Sequence, residues 1–296
     1  MDIEILAEQF YDYSSYIKGY SKHTIRSYRS AIKFFCRSLG ITKVEEITGE
    51  NVRRFFINGR INRNWKPSTF MTYHKSLVVF FRFCTEKGYL AVNYIDDIET
   101  PKIPKSLPKK ISNENALKLL EIIINYPYPN DFLRYRNHAI FSTFLYAGLR
   151  KSELFNLKLN DVDIDNFTIY VNKGKGSKDR IIPMSHTLAQ SLKRYLNERK
   201  KLNKTCPEFF TSYGLNQGYT DSGLKRVVRK LKDISKIEFT IHRLRHTFAT
   251  LMVEGGCDIY SLSKMMGHSD ITTTTIYLST TAEHLRGQML KHPLNV

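Results

Sequence analysis

Residues 100–112 read TPKIPKSLPKKIS. Pro101, Pro104 and Pro108 stand among four lysines, a composition that disfavours helix and strand and favours an extended tether. A boundary is expected here: one domain over 1–104, a basic linker over 100–111, and a second domain over 112–296. Length agrees, because 296 residues with 42% hydrophobic content exceed what one core usually organises.

Upstream of the linker, apolar residues recur at helical spacing: Leu6, Phe10, Tyr13, Ile17; then Ile25, Tyr28, Ile32, Phe35, Leu39; then Phe70, Tyr73, Leu77, Phe80, Cys84. Ser21 and Thr48 are placed as N-caps, Pro67 suits a first turn, and Gly40, Gly59 and Gly88 are placed to stop helices. An all-α N-terminal bundle follows. Arg26, Arg29 and Lys33 lie off the apolar stripe of the second helix, as do Lys66, His74 and Lys75 around the last.

Downstream, Ser112 caps a helix with apolar Leu117, Leu120 and Ile124, and a second helix runs through His138–Tyr146 to Gly148. The alternating FTIYVN (167–172) and RIIPMS (180–185) read as two strands joined by a Gly-rich basic tip. Helices resume around Leu188–Leu202, Leu224–Ile234, Thr247–Glu254, Ile259–Met266 and Ile271–Leu278. The fold class is mainly α: a helical N-terminal domain plus an α-rich domain with a small antiparallel β-sheet.

Charge is the strongest global signal. The chain holds 46 Lys and Arg against 28 Asp and Glu, a net +18, with a pI near 9.6. Such an excess calls for a polyanionic partner, nucleic acid above all. No apolar run approaches the roughly 20 residues of a membrane span, and MDIEILAEQF has no basic stretch leading into an apolar one, so no membrane partner and a cytoplasmic location are expected. Four scattered cysteines without a CxxC pair fit reduced thiols.

Several clusters carry candidate chemistry, and each has an ordinary alternative. AGLRKSEL (147–154) puts Arg150 and Glu153 on one face of a short helix, which alone is an ordinary ion pair. HRLRHTFAT (242–250) follows the N-cap Thr240, so His242 and Arg245 sit on the first turns of a helix, where free N–H groups and the dipole favour an anion. His242 and His246 have the spacing of a zinc motif, but Arg243 stands where a catalytic Glu is required, so zinc is rejected and His246 reads as a packed or hydrogen-bonded core histidine. KGKGSKDR (173–180) lacks a phosphate-loop pattern, and Lys175 alone is a solvated turn lysine. DVDIDN (161–166) fails as a calcium loop and reads as a turn. In GHSDITTTTIY (267–277), Tyr277 alone is one of 18 tyrosines.

Taken together and in order, A-G-L-R-x-S-E-L (147–154), G-K-G-S-K-D-R-x-x-P (174–183), H-x-L-R-H-T-F-A-T (242–250) and G-H-x-x-x-x-T-T-x-x-Y (267–277) resemble the tyrosine recombinase (phage-integrase) family. SKHTIRSYRSAIKFF (21–35) is similar to that family's helical core-binding domain, and the short loops are most similar to Xer-type simple recombinases. Leu278 and Ser279 depart from a common Thr-His, and Met265 and Met266 from Leu-Leu.

The resemblance implies a catalytic set. Arg150 and Arg245 would hold the scissile phosphate, Lys175 would protonate the leaving 5′ oxygen, and His242 would act as general base or hydrogen-bond donor. His268 would donate to a phosphate oxygen, Tyr277 would be the nucleophile, and Glu153 would orient Arg150. Lys178, Arg180 and Arg243 join the six residues of the first domain as DNA-binding candidates. A tyrosine with a pKa near 10 needs a base or cations to react at pH 7; two guanidinium forks supply the charge that a metal supplies elsewhere, so no metal and no cofactor are expected. A 3′-phosphotyrosine retains the bond energy, allowing strand exchange without ATP. The implied partners are two double-stranded recombination sites on a homotetramer, or on a heterotetramer with a related recombinase, working through a Holliday junction in the nucleoid. The two domains would clamp one duplex, and the tail at 282–296 would dock on a neighbouring protomer or on its own domain. A type IB topoisomerase shares this chemistry, and a non-catalytic DNA-binding protein could share the fold.

Overall fold

Ser21, Thr48, Ser112 and Thr240 each accept a hydrogen bond from the backbone N–H three residues on, and each starts a helix. The computed structural model describes residues 1–103, 110–172, 179–268, 270–278 and 289. The chain divides into two units, Met1–Lys105 and Ser106–Val296. The middle of the expected linker, Lys175, Lys178 and the expected tail at 282–296, apart from Met289, lie outside the described residues.

The first unit consists of α1 (Ile3–Asp12), α2 (Lys22–Leu39), α3 (Gly49–Ile61) and α4 (Pro67–Glu86). Its core joins Leu6 and Phe10 to Ile32, Phe35, Phe55, Leu77, Phe80 and Phe81. Two expectations change. α1 widens into a π-helical turn over Tyr13–Ile17, which carries Ile17 off the buried stripe and out to solvent. Gly59 does not stop a helix: it lies inside α3, where a Cβ would meet the Trp65 ring at 2.3 Å. Glycine is there to admit the indole, which stacks on Tyr73.

In the second unit, α6 (Asp131–Tyr146) is the central element, burying Phe132, Ala139, Ile140, Phe141, Phe144 and Leu145. Around it pack α5 (Asn113–Asn125), α8 (His186–Lys201) and α10 (Ile241–Glu254). α5 buries Ala116, Leu119, Leu120 and Ile123, so the apolar face is turned from the expected one and Leu117 is exposed. The sheet has three antiparallel strands in the order β1 (Val162–Asp163), β2 (Thr168–Val171), β3 (Arg180–Pro183), with Ile169 opposite both Val162 and Ile182. The sequence missed β1, whose two residues are too few to show alternation. Its turn is closed by Asp163, which accepts from the Asn166 N–H at 2.9 Å. Among the described residues the unit also holds α7 (Lys151–Asn156), α9 (Asp221–Ser235), α11 (Ile259–Met266) and α12 (Thr272–Thr275). α12 is a single turn, and Tyr277 follows it instead of riding on a longer helix.

Gly59→Ala should lower stability by about 1–3 kcal/mol through overpacking against Trp65, outweighing the roughly 1 kcal/mol that Ala gains as a helix former. Chemical denaturation of the variant measures it; an unchanged midpoint would show that the indole moves freely.

Candidate active site

Glu153 lies in the first turn of α7 with 8% of its surface exposed. Its carboxylate accepts from the Arg150 backbone N–H at 2.7 Å and from Arg150 Nη1 at 2.8 Å. Arg180, from β3, approaches with both fork nitrogens, at 2.8 and 2.7 Å. Arg245 Nη1, from α10, lies 3.9 Å away. Burial alone would raise the Glu153 carboxyl, but hydrogen bonds and charge from Arg180, followed by the two donors of Arg150, hold it down at about 2.

The same arginines cap α11. The carbonyl of Met265 accepts from Arg180 Nε at 2.7 Å, that of Met266 from Arg245 Nη2, and that of Gly267 from Arg150 Nη2 at 2.8 Å. Three carbonyls that a helix C-terminus leaves without partners thus each take a guanidinium, at the negative end of the dipole. Gly267 makes this possible: its φ is +62°, and a Cβ would meet the Arg180 side chain at 2.9 Å. Arg245 also donates to the Gly148 carbonyl.

Arg150, His242, Arg245, His268 and Thr273 line one cleft of about 980 Å³, with Lys225, Arg229 and Lys232 from α9 on its wall. Burial, then Arg245 and Arg150, lower the His242 imidazole. The same causes, with Arg180 and His246 adding, bring His268 to about 4. His268 Nδ1 pairs with the hydroxyl of Thr274 at 2.8 Å, and Thr274 is fully buried. One member of the threonine run thus aims this imidazole.

Tyr277 is held by its N–H to the Thr274 carbonyl at 3.0 Å. It is 5% exposed and packs in a small apolar cluster with Phe248, Ala249, Val253, Leu262 and Met266. Its phenolic oxygen lies 2.5 Å from His246 Nδ1. Burial raises its pKa, and Arg245 works in the opposite sense. The structure therefore gathers Arg150, Glu153, His242, Arg245 and His268, with Tyr277 beside them behind His246.

The DNA-binding candidates divide. Arg26, Lys33, Lys66 and Lys75 are exposed on the first unit. Arg29 forks onto Glu8 and lies over the Tyr11 ring, and His74 stacks on Phe70. Arg180 is not turned outward: its buried fork binds Glu153 and its Nε binds α11, because strand alternation at β3 directs it into the site. Arg243 donates to the Glu238 and Lys110 carbonyls, which ties α10 to the start of the unit. Sequence reasoning missed His246 as a partner of Tyr277, and it missed the α9 lysines and arginine; the basic face of DSGLKRVVRKLKDIS was the available signal for the latter. Among the described residues, no group of three or more His, Cys, Asp or Glu side chains is placed to hold a metal ion, and no helix is long and apolar enough to cross a membrane.

A buried tyrosine beside a cleft lined by two arginines and two histidines is an arrangement suited to phosphoryl transfer. Residues 109–284 match the phage integrase family, and residues 6–89 match the phage integrase N-terminal SAM-like domain. The chain belongs to the phage integrase family, the tyrosine recombinases. It is similar to tyrosine recombinase XerA of Thermococcus onnurineus, 32% identical over 289 residues that cover 96% of this chain and 95% of the relative. The fold is similar to that of XerH site-specific recombinase in a post-cleavage complex with palindromic difH substrate, with TM-score 0.73, 21% identity, and coverage of 96% and 84% of the two chains. It is similar also to a lambda integrase tetramer bound to a Holliday junction, with TM-score 0.73, 20% identity, and coverage of 94% and 77%.

Folding lowers the Glu153 carboxyl below its unfolded value of about 4.3. Its contribution to stability is therefore complete above roughly pH 5 and is lost as pH falls toward 2. Glu153→Gln should cost about 3–5 kcal/mol at pH 7, because it leaves buried guanidinium groups without their anion. The gap between wild type and variant should narrow on denaturation at pH 3; a gap independent of pH would show that the charge is not what matters.

Proposed function

We propose that the protein is a site-specific DNA recombinase that forms a 3′-phosphotyrosine at Tyr277 and exchanges strands through a Holliday junction. The observation that carries this reading is the convergence of Arg150, His242, Arg245 and His268, from three separated stretches of chain, on one cleft next to the Tyr277 phenol. Arg150 and Arg245 hold the non-bridging oxygens of the scissile phosphate, with forks that lysine lacks. His268, aimed by Thr274, donates to the same phosphate. His242 stands at the N-terminal turn of α10 as a further donor or base. Glu153 positions Arg150 and, through Arg180, the base of the hairpin. Lys175 protonates the 5′ leaving oxygen, a step worth on the order of 100-fold or more.

The first unit, with Arg26, Lys33, Lys66 and Lys75 exposed, is the core-binding domain, joined by the basic linker so that both domains grip one duplex. Lys225, Arg229 and Lys232 extend the cationic wall toward the phosphates flanking the cut. The working unit is a tetramer on two duplexes, composed of this chain alone or with a related recombinase, with the tail passed to a neighbour. Support comes from the family, from the net charge of +18, and from the likeness of fold to the DNA-bound recombinases.

The test begins with a binding site selected from random duplexes. Tyr277→Phe should bind that site as wild type does and form no covalent adduct on a nicked suicide substrate; an adduct that survives the change sinks the assignment. Binding should also weaken steeply with salt, since each neutralised phosphate adds about 0.9 to the slope of log K against log salt.

A further inference from the structure

The contact between His246 and Tyr277 goes beyond the roles assigned above. His246 is on α10, one turn after His242, and the two imidazoles meet edge to face with ring centroids 4.3 Å apart. The backbone carbonyl of His246 accepts from the Thr250 hydroxyl at 3.0 Å, so the residue is fixed in the middle of the helix. Its Nδ1 is 2.5 Å from the phenolic oxygen of Tyr277. Among the described residues, no other side chain is in hydrogen-bond contact with that oxygen.

We propose that His246 is the catalytic residue that receives the phenolic proton of Tyr277, so that His242 is left free to serve the phosphate. This rests on the reading of Tyr277 as the nucleophile. The phenol donates to Nδ1, which places the ring proton of the neutral imidazole on Nε2. As the phenolic oxygen bonds to phosphorus, its proton passes to Nδ1, the bond from phosphorus to the 5′ oxygen breaks, and the leaving oxygen takes a proton from Lys175. In the reverse step an incoming 5′ hydroxyl bonds to phosphorus and gives its proton to Lys175, and the imidazolium returns its proton to the phenolic oxygen as the phosphotyrosine bond breaks. Every proton is accounted for without water.

The surroundings fit a base that waits for its substrate. Burial, then the neighbouring His242 and Arg245, lower the His246 imidazole to about 4, so the Nδ1 lone pair is free at neutral pH. A scissile phosphate held by Arg150 and Arg245 brings negative charge beside those cations and raises the basicity of His246 when DNA is bound. The groups around His246 are His242 and Arg245 of its own helix, Tyr277 from the segment after α12, and His268, whose imidazole a charge on His246 would lower.

Three proteins decide the matter on the suicide substrate: wild type, His246→Ala and His246→Gln. Gln keeps an acceptor at the phenol but takes no proton. Both variants should bind DNA as wild type does and cleave about 100-fold more slowly, and added imidazole should restore the Ala variant with a rate that rises with the imidazole free-base fraction. The proposal is overturned if either variant cleaves within threefold of wild type, if Gln restores the rate and so shows a purely positioning role, or if the slow Ala variant ignores imidazole. Faster cleavage by His246→Ala also overturns it, and would make the contact a latch on the nucleophile. A wild type that forms no adduct sinks the reading of Tyr277 as well, whereas an adduct in wild type with undiminished variants sinks the role of His246 alone.

Discussion

One buried carboxylate, Glu153, faces three guanidinium groups, and the rest of the catalytic unit is arranged around that imbalance. Arg150 and Arg180 bond to it directly and Arg245 lies 3.9 Å away. Three cations against one anion leave two positive charges without a carboxylate in a site where burial magnifies them. The carbonyl ends of α11 offset part of the excess, since each accepts from a different arginine. What remains is a cleft with positive charge to spare, which suits an anion, and a phosphodiester has the oxygens to meet two forks.

This arrangement also ties separate elements to one point. Arg180 comes from the first residue of β3, so the base of the hairpin is fixed to α7 and to α11 by the same side chain. The described start of β3 is thereby held beside Arg150, since both arginines bond to the same Glu153 oxygen. A side chain expected to touch DNA therefore acts on the geometry of the site. Its exposure is low because the two-residue period of the strand turns position 180 inward, as it does Ile182.

Local chemistry was legible in the sequence wherever a residue type has one dominant use. Ser21, Thr48, Ser112 and Thr240 cap as read, and α11 begins and ends where its apolar period does. Gly59 was misread because glycine serves two purposes, ending helices and admitting neighbours, and only the position of Trp65 decides between them. Leu117 was misread because apolar residues crowd α5 on two faces, and packing against α6 selects one. The motifs placed Arg150, His242, Arg245 and His268 in one cleft. They could not show that His246 faces Tyr277, because that contact depends on α12 being a single turn that brings residue 277 back over α10.

Burial of Tyr277 would keep the proposed nucleophile inert without keeping it distant. Proton transfer from phenol to imidazole creates a phenolate and an imidazolium side by side, with no change in net charge. The arginines therefore bear on the pair less than on either partner, while burial penalises both new charges at once. Burial also raises the phenol and lowers the imidazole, which widens the gap the proton must cross. Free transfer is thus unfavourable, and in the proposed mechanism the proton moves only as the phenolate charge is consumed in a bond to phosphorus. In that proposal a phosphate held by Arg150 and Arg245 would supply both the electrophile and the negative charge that steadies the imidazolium. The same desolvation would thus account both for the neutrality of the resting pair and for its proposed reactivity with DNA bound.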